Sequence, residues 1–327
     1  MRKVLDIQKQ LLPDLVEVLK KRYTILQHVM LSGVVGRRTL AGFLNMTERV
    51  VRAEVDFLKE QGLLLIEPLG IKVSEAGRQL VEEMEPLIKD LFGLSELEGK
   101  IRKAFGLKQV IVVPGDADTS SFTKKEIGRA MGTVLRKFAV KGDVIAVTGG
   151  STMAEAAAHL AGSPTLKELM FVPARGGLGE SVEFQANTIA STMAKKTGGH
   201  YRMLHVPDHL SEETYQTIIL EPNIQEIVEV IRSARIVLHG IGDAIVMARR
   251  RKVELEMVEQ LRNEGALAEA YGYYFDRGGK IVHKMHTVGL RIEDIQKIEV
   301  VIAAAGGKSK AEAIVSVLRF GYEDILI

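Results

Sequence analysis

A glycine-rich segment between a buried strand and a helix carries the clearest chemistry in this chain. The four residues Gly149, Gly150, Ser151 and Thr152 directly follow an apolar run that ends at Val147. The glycines let backbone N–H groups approach an anion, the two side chains offer hydroxyls, and the next helix begins at the same place. The lysine of a P-loop and the spacing of a dinucleotide fingerprint are both missing. The segment therefore predicts a phosphate-binding loop that is not a nucleotide site, with a plain tight turn as the alternative.

Basic residues follow two other predicted strands. Arg175 comes after the run at 169–173, and Lys308 and Lys310 come after the run at 300–304. Doubly wound sheets bind their ligands just beyond the C-terminal ends of their strands. Convergent cations and hydroxyls at that edge favour a phosphorylated small molecule. An ester with two phosphates would satisfy more of these cations than an ester with one.

An enzyme is the competing interpretation of the same strand ends. A general acid or base could come from Asp243, Glu269 or His239, although Asp243 follows Gly-Ile-Gly and is better placed to cap a helix. The spacing of His283 and His286 puts them on opposite faces of a strand, so a shared metal ion is not expected. No nucleophile–base pair or metal-ligand spacing is present. We therefore predict no catalytic residue, no metal site and no cofactor.

Short apolar runs that alternate with amphipathic helical segments must position these groups. The runs occupy residues 109–113, 143–147, 169–173, 235–239 and 300–304. Nearly continuous apolar strands of this kind indicate a parallel sheet buried on both faces. The sequence therefore predicts an α/β fold, with a doubly wound, Rossmann-like domain in the C-terminal part.

The N-terminal part has a different pattern, in which residues 36–58 form two short predicted helices and a tight turn. Their apolar faces comprise Leu40, Phe43 and Leu44 in the first helix, and Val51, Val55 and Leu58 in the second. The Thr47 hydroxyl is expected to cap the second helix. The outer face of that helix carries Thr47, Glu48, Arg49, Arg52 and Asp56, groups that suit base edges and phosphates. A helical hairpin without a partner would show the same core spacing.

A predicted hairpin and a basic cluster favour DNA binding. Two apolar runs flank Pro68-Leu69-Gly70, a turn signal at the position of the wing in a winged helix, and Ser74 is expected to cap the following helix. Seven basic residues stand against the single acid Glu48 between positions 20 and 52: Lys20, Lys21, Arg22, Arg37, Arg38, Arg49 and Arg52. Such a surface supplies the salt-dependent part of DNA affinity, although it could also be a solvated face. The residues predicted to contact double-stranded DNA are Arg37, Arg38, Thr47, Glu48, Arg49 and Arg52.

Length and composition set the frame for both parts. A chain of 327 residues exceeds the size of most single cores, so two domains are expected. The absence of cysteine excludes a disulfide framework and a thiolate metal site. Residues 1–9 interrupt apolar residues with charge too often for a signal peptide, and no apolar run approaches the roughly 18 residues of a membrane span. We expect a cytoplasmic protein without a membrane partner.

The domain boundary is predicted in a charged, helix-favouring connector. Residues 1–90 are assigned to the winged helix-turn-helix domain, with a connector to about 106, and residues 91–327 to an effector and oligomerisation domain. Apolar residues recur along the connector at Leu80, Met84, Leu87, Ile88 and Leu91. They could transmit a signal between the domains or simply pack between them.

Five ordered segments resemble the SorC/DeoR-type bacterial transcriptional regulators, most closely the members that repress central glycolytic genes. The segments are 147–153, 173–177, 239–243, 271–276 and 305–311. The resemblance extends over the whole chain. It implies an effector domain that is related to sugar-phosphate isomerases and has lost catalysis. It also implies that fructose 1,6-bisphosphate weakens binding to operator DNA.

The resemblance also assigns roles to residues by motif position. It implies phosphate contacts from Ser151, Thr152, Arg175 and Lys310, and a sugar-hydroxyl acceptor at Glu269. Gln185 and Arg250 carry over with less distinctive surroundings, and Gly149 and Gly150 complete the effector-binding set. Ser151 stands where the family pattern has a second threonine, so the hydroxyl is kept.

The resulting hypothesis is a non-enzymatic, homo-oligomeric repressor, dimer or tetramer, that is controlled by a sugar phosphate. The alternative is a sugar-phosphate isomerase or deaminase with a nucleic-acid-binding module. Turnover of fructose or glucosamine phosphates would distinguish the two.

Overall fold

The structure, a computed structural model, describes residues 10–160, 162–177 and 181–327, and its internal contacts divide the chain into two units after Leu97. The prediction that residues 1–9 form no signal peptide concerns a segment outside the described residues. Across the described ranges, no helix is both long and apolar enough to cross a membrane.

The first unit consists of four helices and a hairpin in the part of it that is described. Its elements, in chain order, are α1 (Pro13–Ser32), α2 (Arg37–Leu44), α3 (Glu48–Glu60), β1 (Leu64–Glu67), β2 (Gly70–Val73) and α4 (Glu75–Leu91). The Thr47 hydroxyl accepts a hydrogen bond from the Val50 N–H (3.4 Å), and the Ser74 hydroxyl accepts one from the Gly77 N–H (3.0 Å). These contacts confirm both predicted helix caps.

The core of the first unit confirms most of the predicted apolar face. Leu40, Val51, Val55 and Leu58 are fully buried. The prediction that Phe43 belongs to this core is wrong, because its side chain is 52% exposed. In a helix with 100° per residue, the buried arc of α2 runs through Leu40, Ala41 and Leu44, and Phe43 falls outside it.

The hairpin confirms the predicted wing. Strands β1 and β2 pair antiparallel from Leu64 with Val73 to Glu67 with Gly70. Val35 extends this sheet by one residue, because its N–H and C=O exchange hydrogen bonds with Ile71 at 3.0 and 2.8 Å. A Cβ at Gly70 would lie 2.8 Å from the Val35 oxygen, and φ there is +142°, so the turn requires glycine.

The apolar residues of the predicted connector pack inside the first unit. Ile88 and Leu91 are buried in its core, and Leu80, Met84 and Leu87 pack against that core. This packing accounts for the apolar periodicity of α4.

Helix α5 (Leu94–Phe105) crosses the division, and the second unit continues with alternating strands and helices. These are β3 (Gln109–Val110), α6 (Ser121–Phe138), β4 (Val144–Val147), α7 (Ser151–His159), β5 (Met170–Pro173), α8 (Ala186–Thr197), β6 (His200–Tyr201), α9 (Glu212–Ile218), α10 (Pro222–Arg232), β7 (Ile236–Gly240), β8 (Gly242–Asp243), α11 (Ala244–Arg250), α12 (Leu255–Asn263), β9 (Ala268–Ala270), β10 (Tyr273–Phe275), β11 (Ile281–Lys284), α13 (Ile292–Ile295), β12 (Val300–Ala304), α14 (Ala311–Phe320) and β13 (Ile325–Leu326).

A parallel sheet organises this unit, with the order β3-β13-β12-β7-β4-β5-β6 within the described residues. Alternate residues of its strands face opposite cores. Ile145 and Leu238 lie in the core that α6, α7 and α8 complete, whereas Ala146 and Val237 lie in the core that α10 and α14 complete. The sheet is therefore buried on both faces, which confirms the predicted doubly wound fold.

Several short elements were not predicted. The strands β6 and β13 have two residues each, and β3 covers only the first two residues of the predicted run at 109–113. A second, antiparallel sheet has the order β11-β10-β9-β8 and also escaped prediction. Most of the unpredicted strands have only two or three residues, too few to show a periodicity. The second sheet matters for the site because β9 carries Glu269.

Candidate functional site

The C-terminal ends of β4, β5 and β7 open on one cleft in the second unit, together with the turn after β12. The structure brings all nine residues of the predicted effector-binding set to this cleft: Gly149, Gly150, Ser151, Thr152, Arg175, Gln185, Arg250, Glu269 and Lys310. It adds residues that were not predicted, including Asp208, Arg251 and Tyr271. The cleft thus lies where doubly wound sheets bind ligands.

The loop before α7 leaves the start of that helix open to a ligand. The Gly150 N–H donates to the Phe184 carbonyl (2.8 Å), and a Cβ at Gly149 would lie 2.7 Å from the same oxygen. In the described part of the chain, no side chain caps α7. The backbone N–H groups of Ser151 and Thr152 can therefore donate to a ligand, next to the hydroxyls of the same two residues. A helix N-terminus with free donors stabilises an anion.

Lys310 adds positive charge to the same cleft. Its side chain is partly buried and makes no hydrogen bond or ion pair among the residues that the structure describes. Burial lowers the pKa of Lys310, and the neighbouring charges of Arg250 and Lys124 lower it further, whereas Asp118 and Asp243 act in the opposite direction. A bound anion would relieve this repulsion between cations.

The sequence predicted Lys308 at the ligand-binding edge of the sheet, but Lys308 does not line the cleft. Its side chain is exposed, and its backbone N–H donates to Asp116 (3.1 Å). The next residue, Ser309, donates its N–H and its hydroxyl to the Asp118 carboxylate at 2.8 and 2.9 Å. Because carboxylates already occupy these backbone donors, the turn before α14 offers the cleft only the side chain of Lys310.

A buried ring of four charged side chains forms one wall of the cleft. Asp208 joins the two arginines, with Oδ1 2.5 Å from Nε of Arg175 and Oδ2 2.7 Å from Nε of Arg251. Oε1 of Glu269 closes the ring at 3.0 Å from Nη1 of Arg175 and 3.0 Å from Nη2 of Arg251. None of the four side chains is more than 8% exposed. The charges of the ring sum to zero.

The sequence predicted Arg175 as one of several convergent cations at this edge, but in the ring its charge is already paired with Asp208 and Glu269. Burial alone would raise the pKa values of Asp208 and Glu269, but the two guanidinium groups hold both below their usual range. The Gly272 N–H also donates to Oε1 of Glu269 (2.7 Å). Asp208 and Arg251 were missed because neither adjoins a predicted strand. The run Arg249-Arg250-Arg251 was a signal for the second of them.

The groups considered for catalysis have structural roles instead. Asp243 caps α11 by accepting the Val246 N–H (2.8 Å), as expected. His239 is fully buried, 3.2 Å from the Gly240 oxygen, and its ring makes a tilted contact with that of Tyr271, with centroids 4.3 Å apart. His286 pairs with Glu212 (2.6 Å) beyond the end of β11, which contains His283.

The second candidate site is the exposed face of α3 in the first unit. Arg49 and Arg52 are exposed there, and neither has an ion-pair partner among the described residues. Arg38 lies 3.0 Å from Glu48, and Arg37 lies 3.3 Å from the exposed carboxylate of Asp56. Thr47 lies beside them but uses its hydroxyl as the helix cap.

Three of the seven basic residues pair with acids that lie outside positions 20–52. Lys20 pairs with Glu17, and Lys21 and Arg22 both pair with Glu54, at 2.5 and 2.8 Å. Arg22 also stacks on the ring of Phe57, 3.6 Å from its centroid. The sequence window from 20 to 52 left out both acids, so it overstated the excess of positive charge in this part of the chain.

Comparisons with known proteins match each unit to a family. Residues 18–88 match the family of CggR N-terminal DNA-binding domains, and residues 89–327 match the Sugar-bind family of sugar-binding domains.

Two curated relatives cover nearly the whole chain. The central glycolytic genes regulator of Priestia megaterium is 47% identical over 330 residues, which cover 100% of this chain and 96% of that protein. The regulator of the same name from Bacillus subtilis is 46% identical over 314 residues, which cover 96% of this chain and 92% of that protein.

Solved structures agree with this assignment. A SorC family regulator from Enterococcus faecalis matches with a TM-score of 0.66 and 40% identity over 71% of this chain and 94% of its own. The full-length sorbitol operon regulator SorC from Klebsiella pneumoniae matches with a TM-score of 0.68 over 90% of both chains; at 17% identity it shows the fold alone.

Fold, cleft and basic helix together define a transcriptional regulator that has a DNA-binding domain and a sugar-binding domain. The chain belongs to the SorC-type family of central glycolytic genes regulators. The enzyme interpretation is set aside, because these relatives and structural neighbours are transcriptional regulators rather than enzymes.

The ring generates a prediction about stability. Arg175→Ala leaves two buried carboxylates with one guanidinium, so we expect the free energy of unfolding to fall by about 3–5 kcal/mol. Arg250→Ala removes an exposed arginine from the same cleft and is expected to cost less than about 1 kcal/mol. Urea unfolding followed by circular dichroism measures both. Equal, small losses in the two variants would contradict the ring.

A second prediction concerns pH and rests on His239 and Glu323. Burial lowers the pKa of His239 to about 4 and raises the pKa of Glu323 to about 7, and Nε2 of His239 lies 3.7 Å from the carboxylate. The Glu323 contribution to stability is present at low pH and is lost as pH rises through about 7. The His239 contribution instead grows as pH rises from about 4 towards 6.5. The two contributions therefore oppose each other between these limits.

A substitution of either His239 or Glu323 leaves the pH dependence of the free energy of unfolding that the other residue causes. Relative to the wild type, the free energy of unfolding of Glu323→Gln should rise between pH 4.5 and 6.5, by up to about 1.4 kcal/mol per pH unit, and that of His239→Phe should fall. Urea unfolding at half-unit steps of pH measures both differences. Curves that stay parallel to the wild type would show that the pair does not titrate in this way.

Proposed function

We propose that the chain represses central glycolytic genes and that a sugar phosphate in the cleft weakens its binding to operator DNA. One observation carries the proposal. The uncapped start of α7 and the side chain of Lys310, neither of which has a partner among the described residues, lie in the same cleft. The names of the two curated relatives support the glycolytic role. Fructose 1,6-bisphosphate is the favoured effector, because two phosphates match two such groups.

We assign the cleft residues as follows. Gly149, Gly150, Ser151 and Thr152 hold one phosphate at the start of α7, as helix N-termini commonly do. Lys310 and Arg250 hold the second phosphate. The remaining predicted residues, Arg175, Gln185 and Glu269, form the wall against the sugar. All the polar contacts that the described residues make to Glu269 fall on Oε1, so Oε2 is left to accept a sugar hydroxyl.

We assign DNA contacts to Arg37, Arg38, Thr47, Glu48, Arg49 and Arg52. Arg49 and Arg52, which have no ion-pair partner among the described residues, supply base or phosphate contacts. The paired groups rearrange or bind phosphates at the edge of the site. We place the domain boundary near residue 91. The working form is a cytoplasmic homo-oligomer, dimer or tetramer.

Release of DNA requires differential affinity. A sugar phosphate weakens operator binding only if it binds the arrangement with low DNA affinity more tightly than the other. A coupling of about 1–3 kcal/mol, or roughly 5- to 150-fold in affinity, is typical of such regulators.

The test uses the full chain and a labelled duplex that the chain itself selects from a random library. Fluorescence anisotropy follows binding while fructose 1,6-bisphosphate, fructose 6-phosphate, glucosamine 6-phosphate or inorganic phosphate is added. We expect fructose 1,6-bisphosphate to weaken DNA binding at least fivefold and inorganic phosphate to have little effect. If no sugar phosphate changed DNA affinity, the proposed function would be wrong.

Lys310 provides a matched pair of variants. Lys310→Met should weaken fructose 1,6-bisphosphate binding at least tenfold, because a charge-assisted hydrogen bond contributes about 1.5–3 kcal/mol. Lys308→Met removes the same charge two residues away, outside the cleft, and should leave affinity unchanged. Isothermal titration calorimetry on both proteins decides. Equal effects would mean that only the general charge of this turn matters.

The DNA-binding face gives a separate prediction. Arg49→Ala or Arg52→Ala should each cost about 1–3 kcal/mol of operator affinity through loss of a base or phosphate contact. Lys59→Ala, an exposed cation at the other end of α3, is the control and should have little effect. Effector affinity should be unchanged in all three. Wild-type operator binding by both arginine variants at moderate salt would reject this face.

A further inference from the structure

The ring wall differs electrically from the rest of the cleft. Lys310 and the start of α7 offer positive charge or free donors without an acidic partner in the described residues. In the ring, by contrast, the charge of Arg175 is balanced by Asp208, and the charge of Arg251 is shared between Asp208 and Glu269. A wall with no net charge attracts a phosphate much less than a lone cation does.

The same wall nevertheless keeps hydrogen-bonding capacity. A guanidinium has five N–H donors, and the contacts of Arg175 within the ring do not use all of them. Oε2 of Glu269 accepts no hydrogen bond from the residues that the structure describes. Hydroxyl groups both donate and accept, so a donor next to an acceptor matches a sugar hydroxyl better than a phosphate, which only accepts.

Two members of the ring hold the other two in place. Asp208 contacts each arginine through a different oxygen, and its own backbone N–H donates to the Gly177 carbonyl (2.9 Å). Arg251 contacts both carboxylates and also donates to the Tyr274 hydroxyl (3.2 Å). Its side chain is the most buried of the four.

We propose that Asp208 and Arg251 are positioning residues that turn Arg175 and Glu269 into a hydroxyl-recognising wall, so that this wall selects sugars among bisphosphates. The inference rests on the proposed function, since it concerns the ligand of the same cleft. It separates the recognition of phosphates, at α7 and Lys310, from the recognition of the sugar. It also makes Asp208 a barrier to simple anions, because Asp208 cancels the charge of Arg175.

The test compares two bisphosphates that differ in their hydroxyls. Fructose 1,6-bisphosphate carries the sugar hydroxyls, whereas hexane-1,6-diol bisphosphate keeps six carbons and two phosphates but has none. Calorimetry on the full-length wild type should show a clear preference for the sugar. In Asp208→Asn, affinity for fructose 1,6-bisphosphate should fall at least tenfold, while affinity for the diol bisphosphate should stay equal or rise. The readout is the ratio of the affinities for the two ligands, measured on the same protein preparation. Partial unfolding lowers both affinities by the same factor and leaves this ratio unchanged.

A double variant separates charge from positioning. Asp208→Asn combined with Arg251→Gln leaves Arg175 and Glu269, so the wall is neutral again. We expect this protein to bind the diol bisphosphate as the wild type does and still to lack the preference for the sugar. A return of the preference would mean that charge balance alone matters and would overturn the positioning role.

The remaining outcomes also decide. If the wild type bound neither bisphosphate, the proposed function itself would fail. If it bound both and the preference persisted in Asp208→Asn, or if both ligands weakened by the same factor, the wall would not select hydroxyls and the inference alone would fall.

Discussion

The second unit depends on a requirement to neutralise charge away from water. Arg175 follows a strand of the parallel sheet, Glu269 lies on the antiparallel sheet, and Arg251 follows α11. Their ring with Asp208 therefore joins three different elements at the cleft. Buried charges are tolerated only when each has its partner at hydrogen-bonding distance. The ring thus fixes how these elements meet, and the position of one cleft wall follows from that.

The remaining sides of the cleft follow a different rule. Glycines before α7 allow the loop to pack against the Phe184 carbonyl, which sets the open helix start against the cleft. After β12, Asp116 and Asp118 occupy the backbone donors of the turn and leave the Lys310 side chain to the ligand. The cleft therefore combines a neutral wall with groups that still need an anion. This division suits a ligand that is both a sugar and a phosphate ester.

The sequence predicts the features that depend on neighbouring residues, and it misses those that depend on residues distant in sequence. The caps at Thr47 and Ser74, the wing and the main strands were predicted correctly, because each depends on neighbouring residues or on a local periodicity. All nine predicted ligand-binding residues reached one cleft, since strand ends of a parallel sheet meet at one edge. Pairings distant in sequence escaped: Arg175 with Asp208 spans 33 positions, and Arg22 with Glu54 spans 32. In both cases the sequence showed a free cation where the fold supplies an acid.

Some polar groups of the cleft have hydrogen-bond partners and others do not, and this difference indicates which groups contribute most to the free energy of ligand binding. The charges of the ring already balance without a ligand, so the ring can offer hydrogen bonds to a ligand but gains little by neutralising one. The start of α7 and Lys310 lack partners in the described residues and gain the most from a bound phosphate. A ligand shifts an equilibrium only by its difference in affinity for the two states. Under the proposed function, the loop at 149–152 and the side chain of Lys310 are therefore the groups from which a sugar phosphate gains most of its binding free energy.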